Sequence, residues 1–200
     1  MRFCDDLGDL GFSWTTDERM TRTSHALAAD GSVWLVDVLD WPDALARART
    51  LGRVEAVVQL LDRHNRDCTE VAARLGIPHL VVPTELPRTP FDVIEIRRWR
   101  HWQEIALWWP GPRVLVTADS LGTNAFFTVG DDRIGVHALL KPTPPRQLAR
   151  LDAEHVLVGH GEGIHGPEAA DELRRALSRS RLSVFSWAAT LPFRAARRRT

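Results

Sequence analysis

Val57-Val58-Gln59-Leu60-Leu61-Asp62-Arg63-His64-Asn65-Arg66-Asp67-Cys68 is the stretch on which the reading of this chain turns. The run Val54 to Leu61 is short and apolar, which predicts a strand buried in a sheet. Asp62 to Arg66 is uniformly polar and has to leave the core as a turn. A helix is predicted from about Cys68 to Leu75, stopped by Gly76 and Pro78. Asp67 stands at its start with Glu70 at the capping-box position, so capping alone is a sufficient role for Asp67. Strand, charged turn and helix together put chemically active side chains at the end of a buried strand.

Working outward, Ser24 to Ala28 and Ser32 to Val38 flank Asp30-Gly31, a hairpin signal. Asp40-Trp41-Pro42-Asp43 predicts a helix start with Asp40 as cap, the helix running to about Leu51 and stopping at Gly52. No period is visible before Thr23. Downstream, His79 to Val82 predicts a strand, and Phe91 to Ile96, Trp102 to Trp109 and Arg113 to Thr117 a meander turned by Pro110-Gly111-Pro112. Asp119 to Val136 reads as irregular and Pro144 to Leu151 as a short helix. His155 to Val158 is a predicted strand. Pro167 to Ser178 is a predicted helix, acidic first and basic later as the helix dipole prefers. No linker divides this order. It predicts one α/β domain over residues 1–193, with mixed sheets flanked by helices, and a basic tail over 194–200.

Composition narrows the function classes. With 44% hydrophobic and 26% charged residues, the chain can build a sizeable core. Lys and Arg number 26 and Asp and Glu 26, so no global field draws the protein to nucleic acid or an anionic membrane. No apolar run approaches the roughly 20 residues that span a bilayer. Met1 to Asp6 lacks the apolar segment of a signal peptide, and Cys4 and Cys68 form no CxxC pair. The expectation is a reduced, cytoplasmic protein without membrane contact. Arg97-Arg98-Trp99-Arg100-His101-Trp102 mixes basic and aromatic residues as single-strand nucleic-acid surfaces do, but a solvated sheet edge accounts for it more simply. Phe126-Phe127 and Trp108-Trp109 fit a dimer face and a core equally, which leaves oligomeric state open. There is no GxSxG, P-loop or dinucleotide fingerprint.

Three segments, in this order, resemble the metallo-β-lactamase superfamily. Val57 to Cys68 is similar to the strand, HxHxDH loop and helix of that family: Arg63 and Asn65 fall on its first two His positions, Asp67 on its Asp and Cys68 on its last His. Val114-Leu115-Val116-Thr117-Ala118-Asp119 resembles the strand ending in the Asp that bridges two metal ions, with His101 upstream near another ligand position. His155 to Gly161 resembles the late strand that delivers the last ligand His, here His160 within Gly-His-Gly. Asp37, closing Trp34-Leu35-Val36, resembles an early strand-end Asp. The resemblance spans roughly Ser24 to Leu177 and implies an αββα four-layer sandwich with an edge site built from loops. The DRHNRD and GHG segments are also similar to a group of prokaryotic proteins from which no activity transfers.

The residues themselves decide what that site could hold. Arg is a permanent cation without an acceptor and Asn is a weak ligand, so Arg63 and Asn65 remove one of the two metal positions. Asp67, Cys68, Asp119 and His160, with His101 in addition, supply a set for a single zinc, iron or manganese ion. A bland reading stands beside each: a helix cap for Asp67, a small buried residue for Cys68, a turn for Asp119, a hydrogen-bonded structural ring for His160. His64 is either an exposed loop residue, the favoured reading, or a residue of the site. Alternatively Asp62, Arg66 and Asp67 form an ion-pair network that takes the place of a metal. The expected protein is therefore a hydrolase-like fold without a two-metal centre, binding no metal or one. The alternative is a one-metal hydrolase on a small-molecule substrate that uses Asp67, Asp119 and His160.

Overall fold

A computed structural model of the chain describes residues 1–64 and 66–182; Asn65, the domain boundary at 193 and the tail 194–200 lie outside the described residues. Six strands follow one another across the first sheet: β1 (Arg2–Asp6), β2 (Gly11–Thr15), β3 (Thr23–Ala29), β4 (Ser32–Val36), β5 (Arg53–Gln59) and β6 (His79–Val81). The first four pair antiparallel, whereas β4, β5 and β6 run parallel. The hairpin joining β3 to β4 turns at Asp30 and Gly31, both left-handed (φ 49° and 74°), as an Asp-Gly turn requires. β2 had no visible period because every one of its residues is buried, which leaves no apolar-polar alternation to read, and β1 is a mostly exposed edge strand.

Two helices, α1 (Pro42–Leu51) and α2 (Cys68–Leu75), cover one face of this sheet. Successive side chains of a strand point to opposite faces, and here both faces are apolar. Val33 and Leu35 of β4 pack with Ala44, Leu45 and Val71 of the helices, whereas Trp34 and Val36 face the other way. α1 begins on Pro42 after Trp41, so Asp40 is not its cap; its carboxylate instead accepts both guanidinium arms of Arg74, each at 2.6 Å.

The other face packs on a second sheet made of β7 (Asp92–Trp99), β8 (Trp102–Trp109), β9 (Val114–Val116), β12 (His155–Leu157) and β13 (Ile164–His165), in the order β13-β12-β9-β8-β7. The predicted meander is β7-β8-β9, while β12 joins β9 in parallel. The segment read as irregular contains a small two-stranded sheet, β10 (Leu121–Gly122) with β11 (Gly135–Val136). The predicted short helix is a 3₁₀ segment, Arg146–Arg150, and α3 (Ala169–Arg179) closes the far side through Leu173 and Leu177. The layers are thus α, β, β, α, the four-layer architecture expected. No helix among the described residues is long and apolar enough to cross a membrane.

A titratable group sits inside the first sheet. His25 is buried at 1% exposure and its Nδ1 lies 2.8 Å from the Ser13 hydroxyl. Burial pushes its pKa from 6.5 down to about 4. The unfolded chain therefore takes up the proton first, so His25 favours the folded state fully above about pH 6.5 and loses that contribution as pH falls toward 4. The gap corresponds to about 3 kcal/mol. Urea unfolding of His25→Leu is expected to show a pH dependence between 7 and 4 flatter by about that amount; an unchanged slope would place the acid sensitivity elsewhere.

Candidate metal centre

All four parallel strands that matter release their functional side chains at the same end. Asp37 follows β4, His64 lies in the turn after β5, Asp119 follows β9, and His160 follows β12. Carboxyl ends of parallel strands are where an open α/β sheet presents ligand-binding loops. The two sheets are stitched together there by bridges between Arg22 and His160 and between Leu61 and Glu104.

Asp119 is the focus. Its Oδ1 lies 2.7 Å from His64 Nε2 and 3.0 Å from His160 Nε2. The ligating atoms of His64, Asp119 and His160 all fall within 4.8 Å of one another. The outer nitrogen of each ring is held as well: His64 Nδ1 is 2.9 Å from Asp37 Oδ2, and His160 Nδ1 is 2.8 Å from the Met20 carbonyl. A carboxylate or carbonyl oxygen only accepts, so both Nδ1 atoms carry hydrogen and both Nε2 atoms converge on one oxygen. Ligand histidines are oriented in this way in metal sites, by an outer hydrogen bond to a carboxylate or carbonyl. The donor set therefore fits a single divalent ion held by His64, Asp119 and His160.

Without an ion, protons must bridge the same contacts. Burial and the neighbouring Arg66 push His64 down, but Asp37 and hydrogen bonds to Asp119 and Asp37 outweigh them, raising its pKa to about 9. Burial opposes ionisation of Asp119 too, yet its bonds to His160 and His64 hold it far below the ordinary carboxylate range. Glu104 is fully buried and raised to about 7 by desolvation, despite accepting the Ser120 N–H at 2.9 Å and the Trp102 indole N–H at 2.7 Å. It fixes the turn on which Asp119 sits.

Arg66 adds a permanent charge. Its Nη1 donates to the carbonyls of Thr23 and Asp37, and its Nη2 donates to Gly159 at 2.9 Å. Asp37 and Arg66 both have left-handed backbones (φ 46° and 40°), which costs about 1 kcal/mol or more at non-glycine residues. The glycines around His160 answer close approaches: a Cβ at Gly159 would meet Ala118 O at 2.8 Å, and one at Gly161, where φ is 103°, would meet Thr123 Oγ1 at 2.1 Å.

The cluster is not the set read from the sequence. Of the expected ligands it contains Asp119 and His160, joined by His64, a site candidate for which exposure was favoured and which is 7% exposed. The Leu61 carbonyl accepts the His64 N–H at 2.9 Å, and this tight turn folds the ring back over the strand end. Asp67 makes no side-chain cap; its Oδ2 accepts the Asp40 N–H at 2.7 Å and ties α2 to the start of α1. Cys68 is the small buried residue of the bland reading, its thiol raised to about 12 by burial. His101 is exposed on the β7–β8 turn. Asp62 lies 3.6 Å from Arg63, so the imagined Asp62–Arg66–Asp67 network is replaced by Arg66 bound to backbone carbonyls. Arg63 does not point at the cluster but packs over Trp102. A cavity of about 490 Å³ near Asp30, Thr50 and Trp109 lies at the opposite end of β4 and plays no part in this centre.

No protein-family model and no curated protein sequence matches the chain. Solved structures do. The DIM-1 metallo-β-lactamase exposed to ceftazidime aligns with a TM-score of 0.60 at 13% identity, over 90% of this chain and 97% of that one. VMB-1 aligns at 0.61 and 11% identity over 92% and 97%. A metallo-β-lactamase from Pontibacter korlensis aligns at 0.61 and 11% over 88% and 99%. At these identities the likeness is one of fold, and the chain has the metallo-β-lactamase fold.

Arg66→Met keeps the aliphatic stem and removes the charge. It removes the charge-assisted bonds to three buried carbonyls, two of which keep another donor, and leaves Asp37 and Asp119 short of a counter-charge, so a loss of about 3–5 kcal/mol in urea unfolding is expected. A loss under about 1 kcal/mol would show that Arg66 does not hold the sheets together.

Proposed function

We propose that the protein is a metal-dependent hydrolase working with one ion, held by His64, Asp119 and His160. The observation that carries this reading is the convergence of two Nε2 atoms on Asp119 Oδ1, with both Nδ1 atoms tied to acceptors. Two histidines and a carboxylate suit zinc, iron or manganese. Hydrolysis is the part carried by the likeness in fold to metallo-β-lactamases, an argument by analogy. The absence of a second set of donors beside the cluster among the described residues supports one ion rather than two.

A bound divalent ion supplies Lewis-acid activation of water and substrate. The chain supplies the rest. Asp37 orients His64 and the Met20 carbonyl orients His160, so neither ring has to be frozen when a ligand arrives. Arg66 offsets the charges of Asp37 and Asp119 from within the protein. Glu104 holds the Ser120 amide and thereby the direction of the Asp119 side chain.

A second reading has its own observation in support. With His64 raised to about 9, its two N–H groups satisfy Asp37 and Asp119 with no ion at all, which suits a metal-free binding or structural protein. The two readings separate on metal content. Protein purified without chelator is expected to hold one ion per chain, lost in His64→Ala and His160→Ala and kept in Asp67→Ala and Cys68→Ser. The ion must displace the Nε2 protons that bridge the rings to Asp119, so calorimetry at pH 7 in buffers of different ionisation enthalpy is expected to report proton release on binding. Protein that stays metal-free after incubation with zinc, iron and manganese would support the metal-free reading instead.

A further inference from the structure

Trp102 opens β8 beside the proposed metal centre and is buried at 4% exposure. Its indole N–H donates to Glu104 Oε2 at 2.7 Å, which fixes the plane of the ring. Two side chains that the centre does not use rest against this indole. The Arg63 guanidinium carbon lies 4.9 Å from its ring centroid, and the His137 ring lies 4.9 Å away at 63°.

His137 follows β11, and its Nδ1 accepts the Leu139 N–H at 3.2 Å. A nitrogen that accepts carries no proton, so the neutral ring must carry its proton on Nε2. Phe126 and Phe127 pack on the ring at 5.8 and 5.6 Å, and Phe127 in turn stacks on His160 at 5.7 Å. The donor is thus held by aromatic packing one ring away from a residue of the centre. Burial keeps His137 below its ordinary pKa against the pull of Asp119. Among the described residues nothing accepts from its Nε2–H.

Arg63 is in a similar position. Its side chain is 44% exposed, and the nearest carboxylate, Asp62, stands 3.6 Å away, outside hydrogen-bonding distance. A cation and a neutral donor therefore border one fixed indole, and among the described residues neither has a hydrogen-bond acceptor, Arg63 having only the Asp62 ion pair at 3.6 Å. Donors held in place without acceptors are how a site is prepared for a group that arrives with the ligand.

We propose that Arg63 and His137 form a subsite for an oxyanion group of the substrate, a carboxylate or a phosphate, seated against Trp102 at the edge of the metal centre. Arg63 supplies charge-assisted hydrogen bonds and His137 a neutral one, so the substrate is an anion. This deepens the proposed function and rests on it for the word substrate, but anion binding is measurable without any metal.

The test is a titration of ¹⁵N-histidine-labelled protein, in the presence of chelator, with methyl phosphate and separately with acetate. At least one of the two is expected to shift the His137 Nε2 resonance saturably. The one that does so at lower concentration identifies the oxyanion. Arg63→Gln, at a half-exposed position that leaves the core intact, is expected to weaken binding roughly tenfold, the loss of one charge-assisted bond. Binding followed by tryptophan fluorescence is expected to fall similarly in His137→Phe, which keeps the ring packing and removes the donor. Arg100→Gln on the exposed β7–β8 turn is expected to bind as the wild type does. No saturable shift with either anion, or binding unchanged in Arg63→Gln and His137→Phe, would overturn the proposal. Metal analysis of the same protein reads the proposed function separately: a chain that binds the anion but no metal keeps the subsite and loses the hydrolase.

Discussion

A buried guanidinium joins the two sheets of this molecule. Arg66 reaches from the turn after β5 and donates to carbonyls at Thr23, Asp37 and Gly159. Those carbonyls lie at strand ends in both sheets, and two of them are next to or within residues of the centre. Gly159 O also accepts the Thr23 N–H at 2.9 Å and Asp37 O the Ser24 hydroxyl at 2.7 Å, so Arg66 adds a second bond to carbonyls that already tie strand ends together. One side chain with a rigid fork of donors reaches all three at once. The cost is a full charge in the interior, which must be balanced nearby.

That balance explains the arrangement around Asp119. Asp37 and Asp119 bring two negative charges to the strand ends, and Arg66 brings one positive charge. The remaining charge comes from the imidazoles, as protons, or from an ion sharing their Nε2 atoms. Either choice leaves the same hydrogen-bonded outer groups, Asp37 and the Met20 carbonyl, in place. A cluster built this way keeps its geometry when the cation changes, and so one set of contacts supports both a metal-bound and a metal-free reading. It also accounts for the left-handed backbones at Asp37 and Arg66, since both side chains must turn inward from strand ends.

The layers of the fold were legible in the sequence because its strands are apolar on both faces and its helices are punctuated by Pro42, Gly52, Gly76 and Pro78. Asp119 and His160 were legible because each closes a short apolar run at a strand end, where direction follows from the strand. His64 was not. It lies in a turn, and a turn has no period from which to infer the side that faces inward. The resemblance placed the ligand positions at Arg63 and Asn65, whereas the turn brings His64 and Arg66 inward and sends Arg63 over Trp102. Asp67 and Cys68 were plausible ligands by type, but α2 fixes them: one ties to Asp40 and the other packs in the core. Glu104 and His137 were missed because their significance lies in contacts from segments distant in sequence.

The inward turn of Arg66 also gives the sequence departure a physical sense. An Arg beside a divalent ion is repelled when its charge points at the ion. Here the donors of Arg66 are spent on three carbonyls, so the guanidinium is anchored by backbone dipoles and its field is shared with Asp37 and Asp119. The same residue that balances Asp37 and Asp119 is the one that closes the gap between the sheets. The loop supplies a covalently attached positive charge between the sheets, while Asp119 and His160 stay fixed on the ends of β9 and β12.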